Sequence, residues 1–240
     1  METAMPKFAL TDARIVAGGA DLSSHSNTVE LSAEVDDQEA TSFTSGGWAE
    51  VIGGLSSATV SAGGQWEAGD ASKVDDATWS QINGGVAVPW TVSPSLLEAG
   101  SLAYSLTALP TSYTVLGDVG AVAPWEAEAA GSGALVRAVV EVAPTALVAS
   151  GASTGRQLTV PAGKALVATV HVLALAGTLS IDIESAPDGT WTDTEVRSTY
   201  APTGPGATVI RVAGPVADSY WRAAWTLAGT AQVVVTLGVA

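Results

Sequence analysis

Only two histidines stand in the 240 residues, His25 and His171, and there is no cysteine. That composition excludes thiol catalysis, disulfides and cysteine–zinc sites, and no two-histidine metal spacing can be built from it. His25 lies in the polar turn Ser23-Ser24-His25-Ser26-Asn27. His171 lies in the apolar run Val170-His171-Val172, where a structural role is expected. Gly151-Ala152-Ser153-Thr154-Gly155 has the letters of a nucleophile elbow, whose chemistry needs a strand before it, a helix after it, then an acid and a histidine. Here Arg156-Gln157-Leu158-Thr159-Val160-Pro161 reads as a strand ended by proline, and no acid separates Gly155 from His171. The match is read as chance. Asp182 to Gly189 could offer oxygens to calcium but lacks EF-hand spacing, and Pro187-Asp188-Gly189 is first a turn. No Walker A or dinucleotide fingerprint is present. No catalytic, cofactor or metal residue is therefore expected, and no enzyme or small-molecule substrate.

What remains is aromatic and acidic. Eight tryptophans stand against two phenylalanines. Trp221 and Trp225 share a strand face with Ala223, while Arg222 points the other way. With Trp191 they are the candidates for a surface aromatic platform that would hold sugar rings, core packing being the default. Phe43 and Trp48 lie among glycines and serines in a segment expected to be a loop from Asp36 to Val51. They either anchor an assembly contact or cap their own core. Asp36, Asp37 and Glu39 make an acidic cluster in the same segment.

The elements that must position these residues are strands. The chain is 47% hydrophobic and 14% charged with mean hydropathy +0.32, which excludes intrinsic disorder. Val29, Leu31, Ala33 and Val35 alternate with Thr28, Glu30, Ser32 and Glu34. Further strand runs are Ala58–Ala62, Val136–Val142, Ala165–Leu175, Leu179–Ile183 and Gln232–Leu237, punctuated by 26 glycines and 11 prolines. Asp75 to Ile82 is the one short helix, with acidic N-cap candidates and Asn83-Gly84-Gly85 as its stop. Two charge-free stretches, Ala165–Ile181 and Ala223–Ala240, read as pairs of strands turning at Gly-Thr rather than as membrane spans. Met1–Leu10 has no apolar core and is not expected to be a leader.

Net charge is −15. Up to residue 145 there are 18 Asp/Glu and 4 Lys/Arg; beyond it there are 6 and 5. Such a chain repels phosphate backbones, so sequence-specific nucleic-acid binding is excluded. The charge step and the Gly/Ser/Thr-rich segment place a linker at about 146–155, between a domain at 1–145 and a smaller β-sandwich at 156–240.

The stretch Asp21–Trp66 carries Asp21-Leu22-Ser23, Val29-Glu30-Leu31-Ser32, Val35-Asp36, Thr41-Ser42-Phe43, Gly47-Trp48-Ala49-Glu50 and Ile52-Gly53-Gly54-Leu55-Ser56-Ser57-Ala58-Thr59-Val60-Ser61-Ala62-Gly63-Gly64. It resembles the N-terminal half of the tail tube proteins of long-tailed bacteriophages. Leu102–Leu109, Tyr113 and Gly117-Asp118-Val119-Gly120 resemble a middle segment, so the likeness spans roughly Lys7–Val142. The C-terminal part resembles the Ig-like or jelly-roll-like modules appended to such proteins. The resemblance implies an all-β fold, a tail-tube-type β-sandwich or half-barrel followed by a small sandwich. It also implies a virion tail subunit, assembled in the host cytoplasm, that forms hexameric rings stacked into a tube. Tape-measure and tail-terminator proteins would be its partners, and genomic DNA would pass without specific binding. Asp36, Asp37 and Glu39 would line the lumen. Capsid decoration or another minor virion role such as a distal tail component, and a carbohydrate-binding or adhesion β-sandwich module, are the alternatives.

Overall fold

The computed structural model describes residues 9–70 and 73–240. Most of Met1–Leu10, and Lys7 where the resemblance begins, lie outside them. Strands dominate, as expected, with one α-helix. The order is β1 (Arg14–Ala17), β2 (Ala20–Asp21), a 3-10 turn Ser23–His25, β3 (Ser26–Glu39), β4 (Val51–Gln65), α1 (Val74–Gly84), β5 (Val88–Ser93), β6 (Leu102–Val115), β7 (Pro124–Gly131) and β8 (Val136–Val142). There follow β9 (Ala146–Leu147), β10 (Gly151–Ala152), β11 (Arg156–Gln157), β12 (Ala165–Ala186), β13 (Glu195–Tyr200), β14 (Gly206–Ala213) and β15 (Tyr220–Val239). No helix among the described residues is long and apolar enough to cross a membrane.

The chain divides into two compact units interleaved in sequence. Unit 1 is Met1–Ser24, Pro89–Ser105 and Val136–Ala240; unit 2 is His25–Val88 and Leu106–Leu135. This division does not follow a linear cut at 146–155. That segment also does not hang free, because β9 and β10 both pair with β15.

In unit 1 the spine is the antiparallel pair β12–β15, which runs from Leu166↔Val239 to Ala186↔Tyr220 with one register shift between Val172 and Ala174. The two stretches expected to fold back at Gly-Thr do not do so. Gly177 and Gly229 face each other across the ladder, both at left-handed φ (+112° and +122°). A Cβ on either would collide with the carbonyl of Ala228 or Ala176 opposite. Glycine lets both strands pass the point together, so the ribbon continues where a turn was expected. Val233, Val235 and Leu237 join Leu166, Ile181, Ile183 and Trp221 in one core, while Val234 packs with Val16, Ala103 and Val140 on the other face. Both faces are buried at 165–172 of β12 and 233–238 of β15, where the sequence reads as an unbroken run of mostly apolar residues.

In unit 2, β3, β4, β7 and β6 lie side by side, with Val60, Ala62, Trp125, Ala127 and Ala129 buried on one face. Helix α1 ends at Gly85, which takes φ +60° and donates its N–H to Ile82. Asp75 and Asp76 lie in its first turn instead of at its N-cap, which is Lys73. Asp75 Oδ1 accepts from Trp66 Nε1 (3.0 Å) and Tyr113 OH (2.7 Å). Burial and that carboxylate push the Tyr113 phenol well above its ordinary range.

Candidate functional site

The β3–β4 ladder runs from Ser26↔Gly64 out to Glu39↔Val51, but β7 flanks β4 only as far as Thr59↔Ala130. Beyond that point the hairpin is a two-stranded arm. Every residue from 51 to 57 is exposed, as is every one from 33 to 39. The connecting loop is therefore shorter than expected, residues 40–50. Asp36, Asp37 and Glu39 stand on strand β3, next to a bulge between Val35 and Asp37, because the ladder extends past them.

The tip is built locally. Ala40 N–H donates to Glu50 O (2.8 Å), Glu50 N–H to Thr41 Oγ1 (3.0 Å), and Gly46 and Gly47 supply the left-handed turn. Phe43 is fully exposed and Trp48 is 81% exposed, so neither caps a core. Val35, Val51, Ile52 and Leu55 are also mostly exposed along the arm. An isolated two-stranded hairpin is marginal in water, and this one exposes six large apolar side chains.

The sheet face away from the unit 2 core is polar. Register aligns Glu30, Ser61, Glu128 and Ser112 in one row across four strands, and Thr28, Gly63, Glu126 and Thr114 in the next. These residues line a depression of about 340 Å³ with three carboxylates, four hydroxyls and no cation. Glu30, Glu126 and Glu128 were not singled out from the sequence, although Trp125-Glu126-Ala127-Glu128-Ala129 carries the alternation that places them. Such a face repels polyanions.

The aromatic candidates of unit 1 need correction. Trp221 is wholly buried, and its Nε1 donates to Leu158 O (3.0 Å). Trp225 packs partly on the same core and donates to Ala149 O (2.9 Å). Trp191 lies under the Arg222 guanidinium, 4.3 Å from the ring centroid, and against Gly155. These tryptophans already have partners, so they form no free platform for a sugar ring.

His171 is buried. Its Nε2 meets Thr91 Oγ1 at 2.9 Å, Thr91 meets Ser105, and Ser105 meets Thr236. Nδ1 has no partner, and burial pulls the imidazole down to about 3, so the ring is neutral. His25 Nδ1 lies 3.2 Å from Glu67. Ser153 lies just past strand β10, its Oγ accepting from Ala223 N–H, with no elbow around it. Of the calcium candidates, Glu184 is paired with Arg222 (2.7 Å). Asp188 accepts from Thr190, which holds its carboxyl below the ordinary range. Among the described residues no three His, Asp or Glu gather as a metal site. Sequence reasoning also missed Glu141, a carboxylate in the apolar run of β8. It is buried and accepts from Gly155 N–H (2.8 Å) and Arg156 Nε (2.6 Å).

No protein-family model matches this chain, and no curated protein does. Among solved structures it is similar to a chain from the virion of a native gene transfer agent particle. Identity there is 23%, over 52% of this chain and 95% of that one, with TM-score 0.43. It is also similar to the sheath/tube terminator of an extracellular contractile injection system, at 15% identity over 56% and 99%, TM-score 0.45. The Dit protein of phage SPP1, described as a hub of the adsorption apparatus, is similar at 14% identity over 96% and 100%, TM-score 0.36.

Proposed function

We propose that this chain is a non-enzymatic structural subunit of a phage-type tail, which assembles with copies of itself into stacked, hexameric rings. The observation that supports this most is the β3–β4 arm, whose exposed apolar residues and lone two-stranded ladder call for cover by another molecule. The tail-tube resemblance of Asp21–Trp66 falls on this arm and its base. In this reading residues 156–240 supply the Ig-like or jelly-roll-like module. Tape-measure and terminator proteins are the other tail partners. The cation-free face with Glu30, Glu126 and Glu128 lines the channel, extended by Asp36, Asp37 and Glu39 on the arm. DNA would slide past such a surface without sticking.

The arm can be removed at its register. Val35 pairs with Ser56, so joining them through Asn-Gly leaves a short hairpin with a favoured turn. Sedimentation velocity is expected to show multimers for the intact chain and monomers for the shortened one, at an unchanged melting temperature. Equal multimers in both would remove the arm from the assembly.

A further inference from the structure

Unit 2 exposes a second apolar loop. Residues 116–123 join β6 to β7 and present Leu116 (62% exposed), Val119 (107%) and Val122 (71%). The loop is held in shape: Leu116 N–H donates to Pro124 O (3.2 Å) and Ala121 N–H to Asp118 O (3.1 Å). Leu116 takes φ +70°, a backbone conformation that leucine rarely adopts.

Register fixes where this loop lies relative to the arm. Gln65, the last residue of β4, pairs with Pro124, where the loop returns into β7. Val51, the first residue of β4, pairs with Glu39 at the arm tip. The two apolar patches therefore sit at opposite ends of one sheet, separated by fifteen residues of β4, about 45–50 Å of extended strand. One copy cannot bring them together.

We infer that the arm tip of one copy, through Phe43 and Trp48, docks on the Leu116–Val119–Val122 loop of the next copy, in a heterologous contact repeated head to tail. This rests on the assembly reading above. With roughly 150–250 Å² for each aromatic side chain, the two patches offer on the order of 900 Å² of apolar surface. A specific interface buries about 1,200–2,000 Å² in all, so backbone and a polar rim complete it. Charge selects this pairing over a symmetric one. The arm carries Glu34, Asp36, Asp37, Glu39 and Glu50, so two arms face to face would gather ten carboxylates, whereas the loop brings only Asp118. A heterologous contact of this kind closes into rings or runs on as a filament.

The absence of cysteine makes the test clean. Ala49→Cys in the arm tip and Ala121→Cys in the loop, exposed positions beside the anchors that keep Trp48 and Val119, are made singly, mixed under a mild oxidant, and compared with Ala49→Cys mixed with Val148→Cys, an exposed position in unit 1. At least tenfold more disulfide-linked heterodimer is expected from the first mixture than from the control, and a ladder of multimers from the double variant Ala49→Cys/Ala121→Cys. Efficient homodimers of Ala49→Cys alone would show arm meeting arm and overturn the inference. So would linkage no better than the control while the unmodified chain sediments as multimers. An unmodified chain that stays monomeric at every concentration would overturn the assembly reading itself, and this contact with it.

Discussion

Unit 1 holds eleven Asp/Glu and eight Lys/Arg, while unit 2 holds thirteen Asp/Glu and a single cation, Lys73. With histidines neutral, their net charges are −3 and −12. In unit 1 three arginines are paired internally with four carboxylates: Arg156 with Glu141, Arg222 with Glu184, and Arg197 with Asp218 and Glu195. Unit 1 also buries all four of its tryptophans wholly or in part against its own residues. Unit 2 keeps Lys73 for Glu67 and turns its remaining charge, together with an apolar arm, outward. The contrast separates a part whose interactions are completed within the chain from a part that is completed by something else.

The largest expected effect lies in the self-contained unit. Trp221→Ala removes a fully buried indole and its hydrogen bond to Leu158, and should cost about 3–5 kcal/mol in urea unfolding. Next is Glu141→Gln, which leaves Arg156 and the Gly155 N–H without a carboxylate, at about 2–3 kcal/mol. Unchanged stability in either variant would break the contrast at its firmer end.

Acid should also act through unit 1. The imidazole of His171 titrates at about 3 when folded, against 6.5 for an unperturbed histidine. The unfolded chain thus takes up a proton that the folded chain refuses. Stability is whole above 6.5 and falls as pH drops from there toward 3, by at most about 1.4 kcal/mol per pH unit. Urea melts at pH 7 and 5.5 should reveal that slope, and His171→Gln should flatten it.

The smallest effect on stability is expected in the arm. Trp48→Ala should change the unfolding free energy by less than about 0.5 kcal/mol and yet abolish association. Salt sharpens the same point. Raising ionic strength from about 0.1 to 1 M shortens the screening length from about 10 to 3 Å. That should strengthen self-association of a unit at −12, as sedimentation would show; weaker association in high salt would mean that the contact is made by opposite charges.

Much of the fold was legible because alternation is a local property. Val29 to Val35 and the helix at Asp75–Ile82 needed only their own residues to be recognised. The length of β12 and β15 was not, since Gly177-Thr178 and Gly229-Thr230 are turn signals until each is seen opposite the other. The interleaved units were equally hidden, because β6 serves both, Ser105 in one and Leu106 in the other. For the candidate site, Phe43 and Trp48 stood out by type and setting, whereas Glu30, Glu126 and Glu128 become neighbours only through the register of β3, β4 and β7. Trp221 was ambiguous because spacing gives the face of a strand and not whether that face is covered.

Negative-stain electron microscopy of the purified full chain, across a concentration series at low and high salt, tests the central claim most directly. Rings or stacked tubes with a central channel are expected at high concentration, and the chain with Val35 joined to Ser56 should give none. Isolated monomers of the intact chain under every condition, or trimers that bind only capsids, would contradict assembly into a tail tube.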